Sequence, residues 1–457
     1  MHLSTRLFGK SYPFSSIKDV LAKANEPKSG DVLAGIAAAD AKERVAAKIV
    51  LSELTVRDVT ENPAVPYETD EVTRYCLDYL DTSVYESIAS MRIGELRDHL
   101  LSDDCTPERI ALLRRGIAPE CAAGVTKLMG NLDLILGASK MRVSATCRTT
   151  IGERGVLASR LQPNHPSDDL DGITASVLEG LSYGVGDAVI GLNPVDDRTE
   201  SVTAVLRRLD DIRNRYEVPT QICVLAHITT QMDAMKKGAP GDLIFQSIAG
   251  SQKGNTSFGV NAALIAEAHA LATERGGAKG KNVLYFETGQ GSELSADVHF
   301  GADQLTMEAR CYGFARCFEP FLVNTVVGFI GPEYLFDSKQ VIRAGLEDHF
   351  MGKLLGLPMG CDACYTNHMR ADQNDIEELS VLLSTAGCCY FMGVPQGDDV
   401  MLGYQSTGFH ETPALRRLLN LRPTREFEVW LERWGFWKDG APTAQIGDGS
   451  VLLRGKP

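Results

Sequence analysis

The sequence predicts an α/β protein in which eight parallel strands close into a (β/α)8 TIM barrel, with an N-terminal helical extension and C-terminal helices. Three observations carry this. Between about residues 144 and 393, short apolar, β-branched runs alternate with long amphipathic segments eight times over, the pattern of parallel βαβ units. The runs are nearly continuous in apolar residues, as in Leu-Val-Asn-Thr-Val-Val-Gly-Phe-Ile at 322–330, which suits strands covered on both faces. Eight such units are the number that closes a parallel sheet on itself. A doubly wound open sheet is the alternative that the alternation leaves.

The extension covers residues 1–140 and reads as helical, with no strand alternation. Asp31 can cap a helix running through the Ala-rich stretch to Leu54, and Pro63 and Pro66 break the pattern. Thr106-Pro107-Glu108 combines an N-cap, a first-turn proline and an acidic first turn, and Gly116 stops that helix. A further helix runs from about Pro119 to Leu136.

The barrel is assigned to 141–400. Its predicted strands are Ser144–Ile151, Gly186–Leu192, Gln221–Ala226, Leu243–Ser247, Asn282–Glu287, Leu322–Phe329, Leu357–Asp362 and Cys389–Gly393. Helices between them include Glu200–Arg215, Ala262–Arg275, Leu305–Phe318, Ser338–Leu355 and Asp375–Ala386. Residues 401–457 pass through His410-Glu411-Thr412 into two helices carrying Trp430, Trp434 and Trp437. The i, i+4 spacing of Trp430 and Trp434 marks a packing stripe.

Composition excludes several classes. The formal net charge is −14 with no long Lys/Arg block, so a nucleic-acid footprint is absent. No apolar run reaches membrane-spanning length, and Met1–Pro13 lacks the apolar core of a signal peptide. Eleven scattered cysteines, an odd number, fit free thiols in a cytoplasmic setting. Cys361 and Cys364 form a CxxC without a second pair, and the nine histidines show no HxH or HExxH spacing, so no metal ligand set is read from the chain. Gly-Ser-Gln-Lys-Gly-Asn at 250–255 lacks the arrangement of a phosphate loop.

Chemistry on this fold sits at the C-terminal ends of the strands. The polar and aromatic residues there are Arg160 and Gln162, Asn193, His227, Gln246 and Ser247, Glu287, Phe329, Asp362, and then Asp398, Asp399 and Met401. Carboxylates suit an ammonium, while arginine and amides suit oxygen. The abundant loop glycines let backbone approach a large flat ligand. Read from its residues alone, the chain is a barrel enzyme for a small amino alcohol or similar molecule. Its cofactor is not legible. A Schiff-base lyase or aldolase using Lys253 and a non-catalytic ligand-binding protein both stay open.

Long segments then resemble one family. They are Arg-Leu-Gln-Pro-Asn-His (160–165), Gly-Leu-Ser-Tyr-Gly-Val-Gly-Asp-Ala-Val-Ile-Gly-Leu-Asn-Pro-Val-Asp-Asp (180–197), Phe-Gln-Ser-Ile-Ala-Gly-Ser (245–251), Tyr-Phe-Glu-Thr-Gly-Gln-Gly-Ser-Glu-Leu-Ser (285–295), Val-Val-Gly-Phe-Ile-Gly-Pro-Glu-Tyr-Leu (326–335) and Cys-Tyr-Thr-Asn-His (364–368). Over nearly the whole chain, the sequence resembles the large subunit of ethanolamine ammonia-lyase.

The resemblance implies conversion of ethanolamine to acetaldehyde and ammonia by radical chemistry with adenosylcobalamin. It implies substrate contacts at Arg160, Gln162, Asn193, Glu287 and Asp362, with Phe329 as a pocket wall, and catalytic work by Glu287, Asp362 and Arg160. Cofactor contacts are implied at Pro194, Gln246, Ser295 and Met401. The cobalt is expected to keep the cofactor's own base: Asp297-Val-His299-Phe-Gly301 is one residue short of the DxHxxG of histidine-ligating mutases. A small subunit is implied as partner, with large subunits paired in a trimer of dimers, six copies of each, and the complex sometimes housed in a bacterial microcompartment.

Overall fold

A computed structural model describes residues 3–455. The barrel strands are β1 (Ala158–Leu161), β2 (Val189–Leu192), β3 (Ile222–Val224), β4 (Ile244–Ser247), β5 (Leu284–Thr288), β6 (Leu322–Val327), β7 (Met359–Tyr365) and β8 (Tyr390–Gly393). They are parallel and run in the order β3-β2-β1-β8-β7-β6-β5-β4, so β1 and β8 meet, with Met392 opposite Arg160. Between β3 and β4 the ring is held by two long backbone bonds, from the amides of Asp242 and Leu243 to the carbonyl of Ile222 at 3.3 and 3.4 Å. The result is a nearly closed (β/α)8 barrel.

Period-2 alternation decides what the barrel encloses. Ala158, Val189, Cys223, Phe245, Tyr285, Leu322 and Tyr390 share one apolar cluster low in the barrel. Two residues further along each strand stand Arg160, Gly191, Leu225, Ser247, Glu287, Asn324 and Met392. Arg160, Glu287 and Asn324 are therefore the next interior layer up, not loop residues. Gly360 makes room for the Tyr390 ring, since a Cβ there would lie 2.1 Å from it.

The first predicted strand is corrected by the structure. Residues 144–151 form a small antiparallel hairpin, Ala145–Thr146 with Thr150–Ile151, that plugs the N-terminal end of the barrel. Its β-branched composition is that of a strand, but it pairs with itself. The true β1, Ala-Ser-Arg-Leu, was obscured by the arginine it turns inward. The other strands and the helices shift at their ends by a few residues.

In the extension, a hairpin of Ser4–Leu7 with Lys10–Pro13 departs from the all-helical expectation. Asp31 does not cap the Ala-rich helix. It lies buried inside a short helix, Ser29–Leu33, and accepts from the Gln304 amide at 3.0 Å. The longer helix, Ala41–Glu53, starts at Asp40, which accepts from Lys42 and Glu43. The helix expected to run to Leu136 is two helices, Pro119–Lys127 and Asn131–Lys140. The break is at Gly130, whose amide bonds Asp133 at 2.9 Å.

The extension packs against Gln304–Ala315, a helix buried along its entire length. Buried ion pairs fasten it there, Arg310 with Asp70 and Glu120 at 2.8 and 2.6 Å and Lys127 with Asp303 at 2.9 Å, and Lys28 ties it to the neighbouring helix Ser338–Leu354 through Glu347 at 2.7 Å. Opening one such pair leaves a desolvated charge, at a cost of about 3–5 kcal/mol.

At the other end of the chain, Glu411–Leu419 lies against β8 and the helix Gln373–Thr385, and Arg425–Trp434 covers β1 and β2. Trp430 stacks on Phe427 and donates to the Tyr216 carbonyl at 2.8 Å, so the tryptophan stripe is packing. Trp437 stands on a two-residue strand, not on a helix. No helix among the described residues is long and apolar enough to cross a membrane.

Candidate active site at the barrel mouth

Arg160 is the hub. It is 1% exposed, and its guanidinium donates to Glu287 Oε1 at 2.8 Å, to the Tyr285 hydroxyl and to Gln162 Oε1. Burial works against its charge, but Tyr285, Glu287, Tyr404 and Asp362 outweigh that and its pKa is raised. Glu287 Oε1 also accepts from Tyr285 at 2.6 Å and from Asn324 Nδ2 at 3.2 Å.

Gln162 passes the network on: its Nε2 donates to Asp399 at 2.7 Å and to Tyr404 at 3.1 Å. Tyr404 donates to Asp362 at 3.0 Å, and Ser406 donates to the other Asp362 oxygen at 2.5 Å. Asn193 joins through Asn164, which also donates to Asp399 at 2.8 Å. One guanidinium, three carboxylates and several amides from β1, β2, β5, β6, β7 and the segment after β8 thus meet at one end of the barrel.

The electrostatics differ from group to group. Burial pushes Asp362 up to about 7, although Ser406, Arg160 and Tyr404 pull the other way. Near neutral pH it can hold or release a proton as charge arrives beside it. Burial raises the Tyr285 and Tyr404 phenols well above their usual value, so both stay protonated as donors. Among the described residues, Arg160 Nε and Asn324 Oδ1 are buried here without a partner.

Above the network lies a cleft of about 400 Å³ lined by Phe245, Gln246, Ser247, Glu287, Val326 and Phe329 among others. Phe329 stands in the loop after β6, not within the strand, edge-on to Tyr404 at 5.1 Å. Gln246 is buried in the cleft wall, with its carboxamide accepting from the Ile228 amide at 3.3 Å. Pro194 and Met401 are half-buried on rim loops, and Ser295 is exposed on a short helix after β5. His227 caps the helix Ile228–Lys236, bonding Thr229 at 2.8 Å and the Phe258 carbonyl at 3.1 Å. His299 bonds its own loop at Ala302 O. Lys253 is exposed on the helix after β4.

Tyr285, Asn324, Asn164, Tyr404 and Ser406 went unread in the sequence. The first had a signal: it lies two residues before Glu287 on the same strand face. The CxxC thiols are buried and pushed up well above the usual range, burial being the largest cause, which leaves them unreactive. Among the described residues, the group of potential metal ligands is Glu293, Glu308 and Cys311, all buried and within 4.8 Å of one another. Burial raises all three, which disfavours their charged forms.

Fold and site define a barrel protein of the enzyme type, with a polar, charge-balanced centre sized for a small molecule beneath an open apolar cleft. The chain belongs to the family of ethanolamine ammonia-lyase large subunits, whose model matches residues 12–445. It is 56% identical over 453 residues to the ethanolamine ammonia-lyase large subunits of Escherichia coli (strain K12) and Salmonella typhimurium (strain LT2), covering 99% of this chain and all of each relative. A truncated 3-deoxy-D-arabino-heptulosonate 7-phosphate synthase from Thermotoga maritima aligns with 61% of this chain and 94% of its own, at TM-score 0.35 and 12% identity, too loosely to bear on function.

Proposed function

We propose that this chain is the active-site-bearing large subunit of an ethanolamine ammonia-lyase, a carbon–nitrogen lyase that converts ethanolamine to acetaldehyde and ammonia with adenosylcobalamin. The observation that carries the reading is the convergence of Arg160, Glu287 and Asp362 on one hydrogen-bonded centre at the barrel mouth.

The residues present fit a large flat cofactor. Exposed apolar side chains ring the mouth on loops from separate strands: Val195 after β2, Phe329 after β6 and Val400 after β8, at 52%, 38% and 66% exposure. Exposed apolar groups gathered at a cavity mark a binding surface. Pro194, Gln246, Ser295 and Met401 stand at the same end and would hold the group. Bound there, adenosylcobalamin supplies radical chemistry through homolysis of its cobalt–carbon bond.

This chain's residues bind and polarise. The permanently charged Arg160 faces the substrate hydroxyl, with Gln162 and Asn193 beside it. Glu287 and Asp362 offset the ammonium, and an arriving cation favours the ionised form of Asp362. Glu287, already an acceptor from three groups, exchanges a proton with the departing or migrating nitrogen. Phe329 walls the site from solvent.

The large-subunit relatives imply a small-subunit partner, and we extend to this chain the family's six-plus-six assembly and its association with a bacterial microcompartment. The test is co-expression with the small subunit and anaerobic mixing with adenosylcobalamin and ethanolamine. Acetaldehyde together with an organic radical coupled to Co(II) in the EPR spectrum is expected. Binding of ethanolamine without aldehyde would reduce the protein to a ligand-binding module.

A further inference from the structure

The segment after β8 crosses the barrel mouth beside β7. It is a hairpin, Asp398–Asp399 with Tyr404–Ser406, that pairs antiparallel with the end of β7, Cys364 opposite Ser406 and Tyr365 opposite Gln405. Asp399 stiffens its turn: one oxygen accepts from the amides of Met401 and Leu402 at 3.1 and 2.8 Å, while the other accepts from Gln162 and Asn164. Tyr404 and Ser406 point inward, at 2% and 0% exposure. Between them they donate one hydrogen bond to each oxygen of Asp362, and the Tyr404 oxygen also accepts from Gln162 at 3.1 Å.

We propose that Tyr404 and Ser406 are positioning residues: the hairpin that carries them clamps both oxygens of Asp362 and ties that carboxylate to Gln162, presenting the two as one unit to the substrate. This rests on the lyase reading and deepens it. A lone carboxylate would rotate about its χ2 and point its lone pairs at random. Donors on both oxygens fix the plane of the carboxylate and favour its charged form. The groups that face Asp362 are Arg160 from β1, Glu287 from β5, Tyr404 from the hairpin, and Cys361 and Cys364 from its own strand. Arg160 is the cation among them and is shared with Glu287, so the hydroxyl donors carry much of the remaining stabilisation.

The test uses the complex with the small subunit and adenosylcobalamin, comparing wild type with Y404F, S406A and S406T. Loss of a donor is expected to raise KM for ethanolamine more than it lowers kcat. It is also expected to move the acid limb of kcat/KM upward by roughly one pH unit, with S406T restoring the limb. Should Y404F fail to assemble, the Ser406 pair decides alone. An acid limb unmoved in S406A at wild-type melting temperature would overturn the clamp. If wild type itself releases no acetaldehyde, the lyase reading falls, and the clamp is then judged by the Asp362 carboxyl stretch: its titration shifts upward in S406A if the clamp exists and stays put if it does not.

Discussion

The two ends of the barrel both bury dense polar networks, yet they are built on opposite terms. At the N-terminal end, Asp187 takes Arg416 at 3.1 and 3.0 Å and also accepts from Ser159 and the Thr424 amide. Asp242 binds Arg148 at 2.7 Å and Arg213, and Gln221 accepts from the Arg148 and Thr149 amides at 3.0 and 3.3 Å. None of these three side chains has an atom without a partner among the described residues. At the C-terminal end one guanidinium serves three carboxylates, Asp362 is pushed up to about 7, and Arg160 Nε and Asn324 Oδ1 lack partners among the described residues. Paired charge holds the floor shut. Charge short of a cation makes the mouth a place where an ammonium is welcome.

Substitutions at the two ends should therefore separate stability from activity. The largest effect is expected from D187N, which strands the buried Arg416 guanidinium. Stability should fall by about 3–5 kcal/mol, read in denaturant melts, with the site chemistry of whatever folds unchanged. E287Q should do the reverse. Losing one charge-assisted bond in the transition state slows turnover by roughly tenfold to a few hundredfold, measured at saturating substrate and cofactor, with the melt falling less than in D187N because Glu287 is partly exposed and the new amide oxygen still accepts from Arg160. A wild-type rate would make Glu287 a bystander.

Between the two ends, G360A drives a methyl into the Tyr390 ring and should cost about 1–3 kcal/mol. If it also halved catalysis or worse, the apolar layer would be transmitting strain upward.

The smallest effect is linkage. Asp362 binds its proton more tightly when folded than its ordinary value of 3.8 allows. It therefore favours the fold fully below that value, and its contribution is lost as pH rises toward about 7. D362N should melt roughly 2 °C higher relative to wild type at pH 8 than at pH 5. A constant difference across that range would mean that Asp362 is ionised throughout.

The same contrast explains what was legible in the sequence. Alternation and apolar runs report covered strands, so seven of the eight strands stood out. The strand that did not is the one that turns Arg160 into the barrel: a functional side chain breaks the very pattern by which strands are recognised. The floor hairpin was mistaken for that strand because β-branched residues mark pleated backbone whatever it pairs with. Glu287 and Asp362 were readable because a charge ending an apolar run has few reasons to be there, whereas Arg160 and Gln162 were picked out only as polar residues following a strand placed too early. Tyr404 and Ser406 were not, since nothing in a short polar stretch around Gly403 says that it folds back onto β7.

The ring of strands is laced unevenly. Between β3 and β4 the backbone-to-backbone bonds among the described residues are two, both to the Ile222 carbonyl and both at the long end of the hydrogen-bonding range, and the Asp242 side chain adds one more by accepting from the Ile222 amide at 2.9 Å. A cylinder with one weak seam does not swell uniformly; it parts there first, as a cuff opens at its button. The cleft wall formed by Leu225, Ala226, Phe245 and Gln246 flanks that seam. The amide protons of Asp242 and Leu243 should then be among the first of the barrel to exchange with heavy water, and a bulky guest settling at the rim should slow them.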